Sequence, residues 1–422
     1  MDLKYKIAGA LGCSLEWLDF VLYGFFSPII ATHFFPANAN PLTNLINTFG
    51  IFAIGFLARP IGGILFGYIS EKYGRTKTLK FTPITLSCLT GCIGLIPSYA
   101  LIGNVAIMLL FLLRFGQGIC MGGECSSSIV YLVESSLKKP YFWGSVGSCM
   151  GGLGILSASF FASVYFSAFF NSPYTWLWRV VFMLTIPIGG LIYLARRHMP
   201  EYDPEGEAVN QPKVFFFKQK KLIALTTGIL CLHASSFYFT FMYIPNFLIH
   251  FRHMETASAM VNNTVFLLLQ LTLIPVFGLI ADKIGGRKIA FSSTVLFLAL
   301  SAFLYRMITV GDYHQVYMIM IVLCLLISAN AGVLPTIILK KLPEKGRTFI
   351  FSVAFNLAFA VFGGLVPYIC LSFVAHTSVN SLLPAYYLTA TGLITLFSLL
   401  VFVFKKEAYG HSRNVGNSLP SC

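Results

Sequence analysis

Three groups of polar and ionisable residues stand inside otherwise apolar stretches of this sequence. Glu16, Asp19 and Tyr23 are spaced i, i+3 and i+7, which sets all three on one face of a helix. Arg114, Gln117 and Glu124 share one arc of an otherwise apolar helix at about 100° per residue. Arg59 lies beside Pro60, roughly 18 Å from the helix end near Glu71 at 1.5 Å per residue. A buried carboxyl whose surroundings alternate can bind and release a proton. A guanidinium offers a planar fork that fits a carboxylate. The pattern therefore points to reversible protonation at Glu16, Asp19 or Glu124, and to anion binding at Arg59 or Arg114 beside Gln117 and Tyr23. A blander set of roles stays open: an acid locked to a neighbouring helix, an Arg114–Glu124 pair that only joins helices, and Arg59 as an anchor. Arg179, near the start of the sixth apolar stretch, reads as a structural or interfacial charge.

The elements that must hold these residues follow from composition. The 422 residues are 57% hydrophobic and only 10% charged, with a mean hydropathy of +0.78. A soluble domain needs roughly a quarter of its residues charged, so lipid must cover most of the exterior. Each crossing takes about 20 apolar residues. Twelve apolar segments of that order can be marked, at about 8–32, 44–70, 79–99, 104–134, 142–170, 176–196, 221–250, 257–281, 288–309, 315–340, 347–375 and 384–404. The first carries Glu16 and Asp19 and outruns a signal peptide, so it is expected to be a retained span. Ten cysteines show no metal-type spacing, and those inside the apolar segments (Cys88, Cys92, Cys120, Cys149, Cys231, Cys324 and Cys370) read as small core residues.

A formal net charge of +14 is distributed as loop clusters, which argues against nucleic acid as the partner. With the N-terminus inside, Lys72, Arg75, Lys138, Lys220, Lys283, Arg287, Lys340 and most other basic residues share one side. Only Arg252 and Arg306 fall on the other. That bias places both termini in the cytoplasm and supports an even number of spans.

The chain also repeats itself. Gly67, Glu71, Lys72, Gly74, Arg75 and Lys77 follow the second segment, and Gly278, Asp282, Lys283, Gly285, Arg287 and Lys288 follow the eighth. The copies stand 211 positions apart, half of the chain's 422 residues, on the same side of the membrane. The expected architecture is all-α: two parallel six-helix repeats about an axis along the membrane normal. The expected division is a bundle over 1–196, a cytoplasmic linker over 197–220, a second bundle over 221–404 and a short cytoplasmic tail over 405–422.

These loops resemble the signature loop of the major facilitator superfamily. More narrowly, the sequence is similar to its metabolite:proton symporters, which include proline/betaine, α-ketoglutarate, shikimate and citrate permeases. The resemblance runs through Glu16-Trp17 with Asp19-Phe20, Arg59-Pro60 with Gly62-Gly63, Arg114 with Gln117-Gly118, Gly122-Gly123-Glu124, Trp178-Arg179, Tyr243 with Pro245, and Phe362-Gly363-Gly364. Departures are Glu71 where aspartate is usual, Gly147-Ser148 near the usual paired glutamines, and Lys340 where an acid is common. The resemblance implies a secondary active transporter of a bacterial inner membrane that carries a small polar metabolite with protons by alternating access.

Gly67, Glu71, Gly74 and Arg75 are expected to form a gating latch, with Asp282 and Arg287 as a weaker counterpart. Further contacts are expected from Tyr243, Asn330 and Asn356, with His233, Tyr238, Asn246 and Gln270 as other candidates in the second half. Both signs of charge near one centre favour a zwitterion such as proline or a betaine; a di- or tricarboxylate is the alternative. A transport-dead receptor on the same fold is a remoter one. With no metal-ligand cluster, nucleophile elbow or phosphate-binding loop in the sequence, neither enzyme chemistry nor a metal or cofactor is expected.

Overall fold

Proline and glycine set where the helices bend and how closely they approach. The computed structural model describes residues 3–73, 75–121, 124–134, 138–196, 212–344 and 346–404. Gly74 lies outside the described residues, as do the side chains of Glu71, Arg75 and Glu124, and Gly67 is described only as helical backbone. The expected tail 405–422 lies outside them too. Of the expected 197–220 linker only 212–220 are described, and they are already helical.

In chain order the helices of the first half are α1 (Leu3–Phe25), α2 (Ser27–His33), α3 (Pro41–Tyr73), α4 (Arg75–Leu95), α5 (Tyr99–Ile102), α6 (Asn104–Cys120), α7 (Glu124–Glu134), α8 (Pro140–Ala168), α9 (Leu177–Met183) and α10 (Thr185–Arg196). The second half has α11 (Pro212–Tyr238), α12 (Ile244–Arg252), α13 (Thr256–Ile284), α14 (Gly286–Val310), α15 (Tyr313–Lys341), α16 (Arg347–Leu357), α17 (Val366–His376) and α18 (Leu383–Phe404). A π-helical turn over Phe239–Tyr243 joins α11 to α12, and another over Ala358–Gly363 precedes α17. Among the described residues, nine helical stretches are long and apolar enough to cross a bilayer. The pair α1–α2, bent by 58° with Pro28 in the first turn of α2, makes a tenth. The shorter apolar helices Thr82–Leu95 and Asn104–Cys120 belong to the remaining two crossings. Twelve spans result, in two sets of six.

Of the expected segments that are interrupted, the fourth bears most on the site. It leaves helical geometry at Met121, whose ψ is 100°, and restarts at Glu124. The arc drawn through Arg114, Gln117 and Glu124 assumed an unbroken helix, so it does not carry across this break.

Small residues let the spans touch. A Cβ on Gly154 would run into the Ser14 carbonyl of α1, and one on Gly118 into the Gly55 carbonyl of α3. Such close approach is what drives helix association in lipid, where apolar burial gives no advantage. Gly285, the counterpart of Gly74 in the repeat, has φ of 95° and turns α13 into α14, a conformation costly for residues with a Cβ. Arg179 donates to the Gly94 and Ile96 carbonyls at 2.6 and 2.7 Å, closing the end of α4, as its structural reading anticipated. Arg252 does the same for α14 through Ile308, Thr309 and Gly311.

The cysteines divide. Cys120, Cys149, Cys231, Cys324 and Cys370 are buried as expected, whereas Cys88 and Cys92 are exposed on the outer surface of α4. Cys13 of α1 and Cys125 of α7 are joined in a disulfide, with 4.9 Å between their Cα atoms.

Candidate functional site

A belt of aromatic rings lies where the two halves meet. Trp17 and Phe20 come from α1, Phe52 and Phe56 from α3, Tyr238 from the end of α11, and Phe359 from the second π turn. Ring centroids are 5.5 Å apart for Trp17–Phe359, 4.5 Å for Phe20–Phe56, 5.2 Å for Phe56–Tyr238 and 6.3 Å for Tyr238–Phe359. These four pairs stand edge to face, the arrangement the ring quadrupole favours. Single π turns are typical of functional sites in helices, and both of those here begin beside a belt residue, at Tyr238 and at Phe359.

Two fully buried arginines enter this belt. The Arg59 guanidinium lies 5.4 Å from the Trp17 ring, 5.6 Å from Phe20 and 5.5 Å from Phe56. That of Arg114 lies 4.2 Å from Phe20, 4.6 Å from Tyr23 and 5.1 Å from Phe52. Cation–π attraction offsets part of the cost of holding these charges away from water. Arg114 Nη1 donates to the Phe20 carbonyl at 3.0 Å and to Gln117 Oε1 at 2.7 Å, and Gln117 Nε2 donates to Thr90. Tyr23 is tied to the Thr48 carbonyl. Arg114 Nε and Nη2, Arg59 Nε and Nη1, and the Tyr238 hydroxyl have no protein partner among the described residues. Donors left unmatched in a buried place are uncommon and costly, and here they converge on one centre.

The two acids of α1 differ in their surroundings. Glu16 Oε1 lies 3.9 Å from Arg59 Nη2, a long ion pair. Asp19, only 1% exposed, accepts from the Ser87 hydroxyl at 2.8 Å. Its Oδ1 has no partner, and no lysine or arginine pairs with it among the described residues.

The structure thus gathers Glu16, Tyr23, Arg59, Arg114 and Gln117 around one belt, whereas Asp19 turns to Ser87 of α4. It directs other candidates elsewhere. Tyr243 shares a hydrogen bond of 2.8 Å with Tyr305 of α14, and Asn330 accepts from Ser293 of the same helix. Asn356 donates to Ser352 on its own helix, and Gln270 is buried on α13. Asn246 instead bridges the halves by accepting from Ser27, and His233 abuts Phe359 at 5.9 Å. Ser87 and the belt residues Phe52 and Phe359 were not singled out from the sequence. Phe20 and Trp17 carried a visible signal, since both interleave with Glu16 and Asp19.

The family model of the Major Facilitator Superfamily matches residues 10–367. The chain belongs to this superfamily. Among its relatives, the glycine betaine/proline/ectoine/pipecolic acid transporter of Dickeya dadantii is 30% identical over 431 residues, covering 96% of this chain and 83% of that protein. The proline/betaine transporter of Escherichia coli K12 is 29% identical, over 94% and 82% of the two chains. The crystal structure of a D-xylose–proton symporter matches with a TM-score of 0.70 at 17% identity, covering 94% and 96%. A bacterial homolog of the human lysosomal transporter Spinster, in an inward-facing and occupied conformation, matches with a TM-score of 0.62 at 15% identity, covering 94% and 95%. At these identities the structural matches speak for the fold.

In this facilitator the halves touch at both ends. At the signature-loop end, Asp282 of α13 accepts from the backbone N–H groups of Tyr141 and Phe142, both at 3.0 Å, capping the N-terminus of α8 in the other half. Glu134 and Arg347 pair across the same boundary at 2.7 Å, a contact that sequence reading missed. Arg287 is exposed at the start of α14. At the opposite end Ser27 meets Asn246, and Ser159 meets Thr264 at 2.8 Å. With the belt buried between the two ends, the arrangement is occluded. Asp282→Asn keeps one acceptor oxygen and loses the charge, so closure at this end should weaken by about 1–3 kcal/mol. Faster labelling of a cysteine placed at Tyr141 would register the change; unaltered labelling would show that Asp282 does not hold the gate.

Proposed function

We propose that this facilitator carries a small zwitterion of the proline/betaine class with a proton, by alternating access across the plasma membrane. The observation behind this reading is the Arg114 guanidinium: fully buried, walled by rings, and with two N–H edges unclaimed among the described residues. A substrate carboxylate fits that edge as a charge-assisted, forked contact. Its ammonium, secondary or quaternary, then faces the belt of Trp17, Phe56, Tyr238 and Phe359, whose ring faces attract cations. The names of the relatives above describe this chemistry. Asp19 is assigned the coupling proton, because Glu16 already faces the Arg59 charge. Glu124 stays a further candidate.

In this reading the bundles 1–196 and 221–404 rock about the belt, joined by 197–220, with both termini and the tail 405–422 in a bacterial cytoplasm. Glu71, Asp282 and their neighbours form the inner gate. A dicarboxylate substrate has one observation in its favour, since among the described residues Arg59 also keeps two N–H edges unclaimed and two anion sites would share the belt.

Uptake of labelled proline, glycine betaine and α-ketoglutarate into proteoliposomes, with and without an inward proton gradient, separates the two. Accumulation of a zwitterion only with the gradient is the expected result. Accumulation of α-ketoglutarate alone favours the dicarboxylate, and equilibration indifferent to the gradient overturns proton coupling.

A further inference from the structure

The outer surface of the second half carries a separate groove. α11, the π turn after α16, and α18 enclose about 370 Å³. Its long wall is one stripe of α11, made by Ala224, Thr227 and Cys231, with Lys220 at one end; Val361 and Ile394 line the side that opens outward. Ala224, Val361 and Ile394 are exposed at that opening, so the groove faces lipid.

Two quantities identify an occupant. From Lys220 to Cys231 the helix rises about 16 Å, close to half of a hydrocarbon core of about 30 Å. The groove is therefore as deep as one leaflet. At its mouth Lys220 is exposed, flanked by exposed Lys218 and Lys221, and the rest of the lining is almost wholly apolar. An apolar slot one leaflet deep that ends in cations matches an acyl chain beneath an anionic headgroup.

We propose that this groove binds an anionic phospholipid, with one acyl chain along α11 and the phosphate at Lys220. The site also has a mechanical consequence. Its side wall, through Val361, is the outer face of the π turn Ala358–Gly363, whose inner face delivers Phe359 to Tyr238 and His233. A chain in the groove backs the segment that completes the aromatic belt. The proposal does not depend on which substrate the belt takes, because its primary readout is lipid retention.

The experiment is native mass spectrometry of the full-length protein extracted from vesicles of phosphatidylcholine mixed with phosphatidylglycerol. Wild-type protein should retain phosphatidylglycerol preferentially. Lys220→Gln should reduce that preference about fivefold, as expected for one basic residue near a headgroup. Val361→Trp fills the groove from an exposed position and should remove retention of both lipids. Lys221→Gln, one position round the helix and outside the lining, should lower the preference less than Lys220→Gln does. Equal losses in Lys220→Gln and Lys221→Gln, or retention unchanged in Lys220→Gln and Val361→Trp, would mean that lipid merely coats a basic surface, and the site would be rejected.

Discussion

Asp19→Asn is expected to abolish uphill accumulation of substrate while leaving exchange down the substrate's own gradient largely intact. Asp19 is buried, accepts one hydrogen bond from Ser87 and pairs with no cation among the described residues. An unpaired buried carboxylate is costly as an anion, and a proton removes that charge. The position is therefore suited to change protonation as access alternates. Asparagine keeps the shape and can still accept from Ser87, so the variant should fold with a stability change of only about 1 kcal/mol. The accumulation ratio under an imposed proton gradient should fall to unity, and uptake should lose its dependence on external pH. Counterflow, which needs no net proton movement, should persist. Full accumulation by the folded variant would move the coupling role to Glu16 or Glu124. Glu16 tests less cleanly, because removing one member of a buried pair typically costs 3–5 kcal/mol.

The second large effect is expected at Arg114. Its Nη1 already donates to the Phe20 carbonyl and to Gln117, and Nε and Nη2 are proposed to hold substrate. Hydrogen bonds to charged groups contribute about 1.5–3 kcal/mol each. Loss of two should raise the substrate Kd by about two to four orders of magnitude. Arg114→Ala also strips Phe20 and Gln117 of their donor, so it mixes destabilisation with lost binding. Arg114→Lys is the sharper test, because it keeps the charge and loses the fork. Its Kd, read by equilibrium binding in detergent, should rise at least tenfold while its melting temperature changes little. An unchanged Kd would remove Arg114 from the substrate site and leave it as a structural cation inside an aromatic shell.

The limits of sequence reading show at particular residues. Periodicity put Glu16 and Asp19 on one face of α1, yet the structure gives them different partners, Arg59 of α3 and Ser87 of α4. A helical wheel gives the direction of a side chain about its own axis but not the neighbour it meets. Tyr243 and Asn330 had the right chemistry and span, but contacts with Tyr305 and Ser293 commit them to α14. Glu124 was joined to Arg114 by angles that assumed a continuous helix, and the break at Met121 removed that assumption. The π turns left no signal in hydropathy, because one extra residue in a helical turn does not change composition.

By itself the sequence determined the twelve crossings, their pairing into two parallel sets and the identity of the charged groups inside the membrane. Each of these depends on local quantities: apolar length, loop charge, and the expense of a polar residue in lipid. Only the tertiary structure decided which acid is paired and which stands without a counter-ion among the described residues, that Phe52, Phe56, Tyr238 and Phe359 close around the two arginines, and that Asp282 reaches α8. These outcomes depend on contacts between residues far apart in the chain, and the packing of whole helices settles them together.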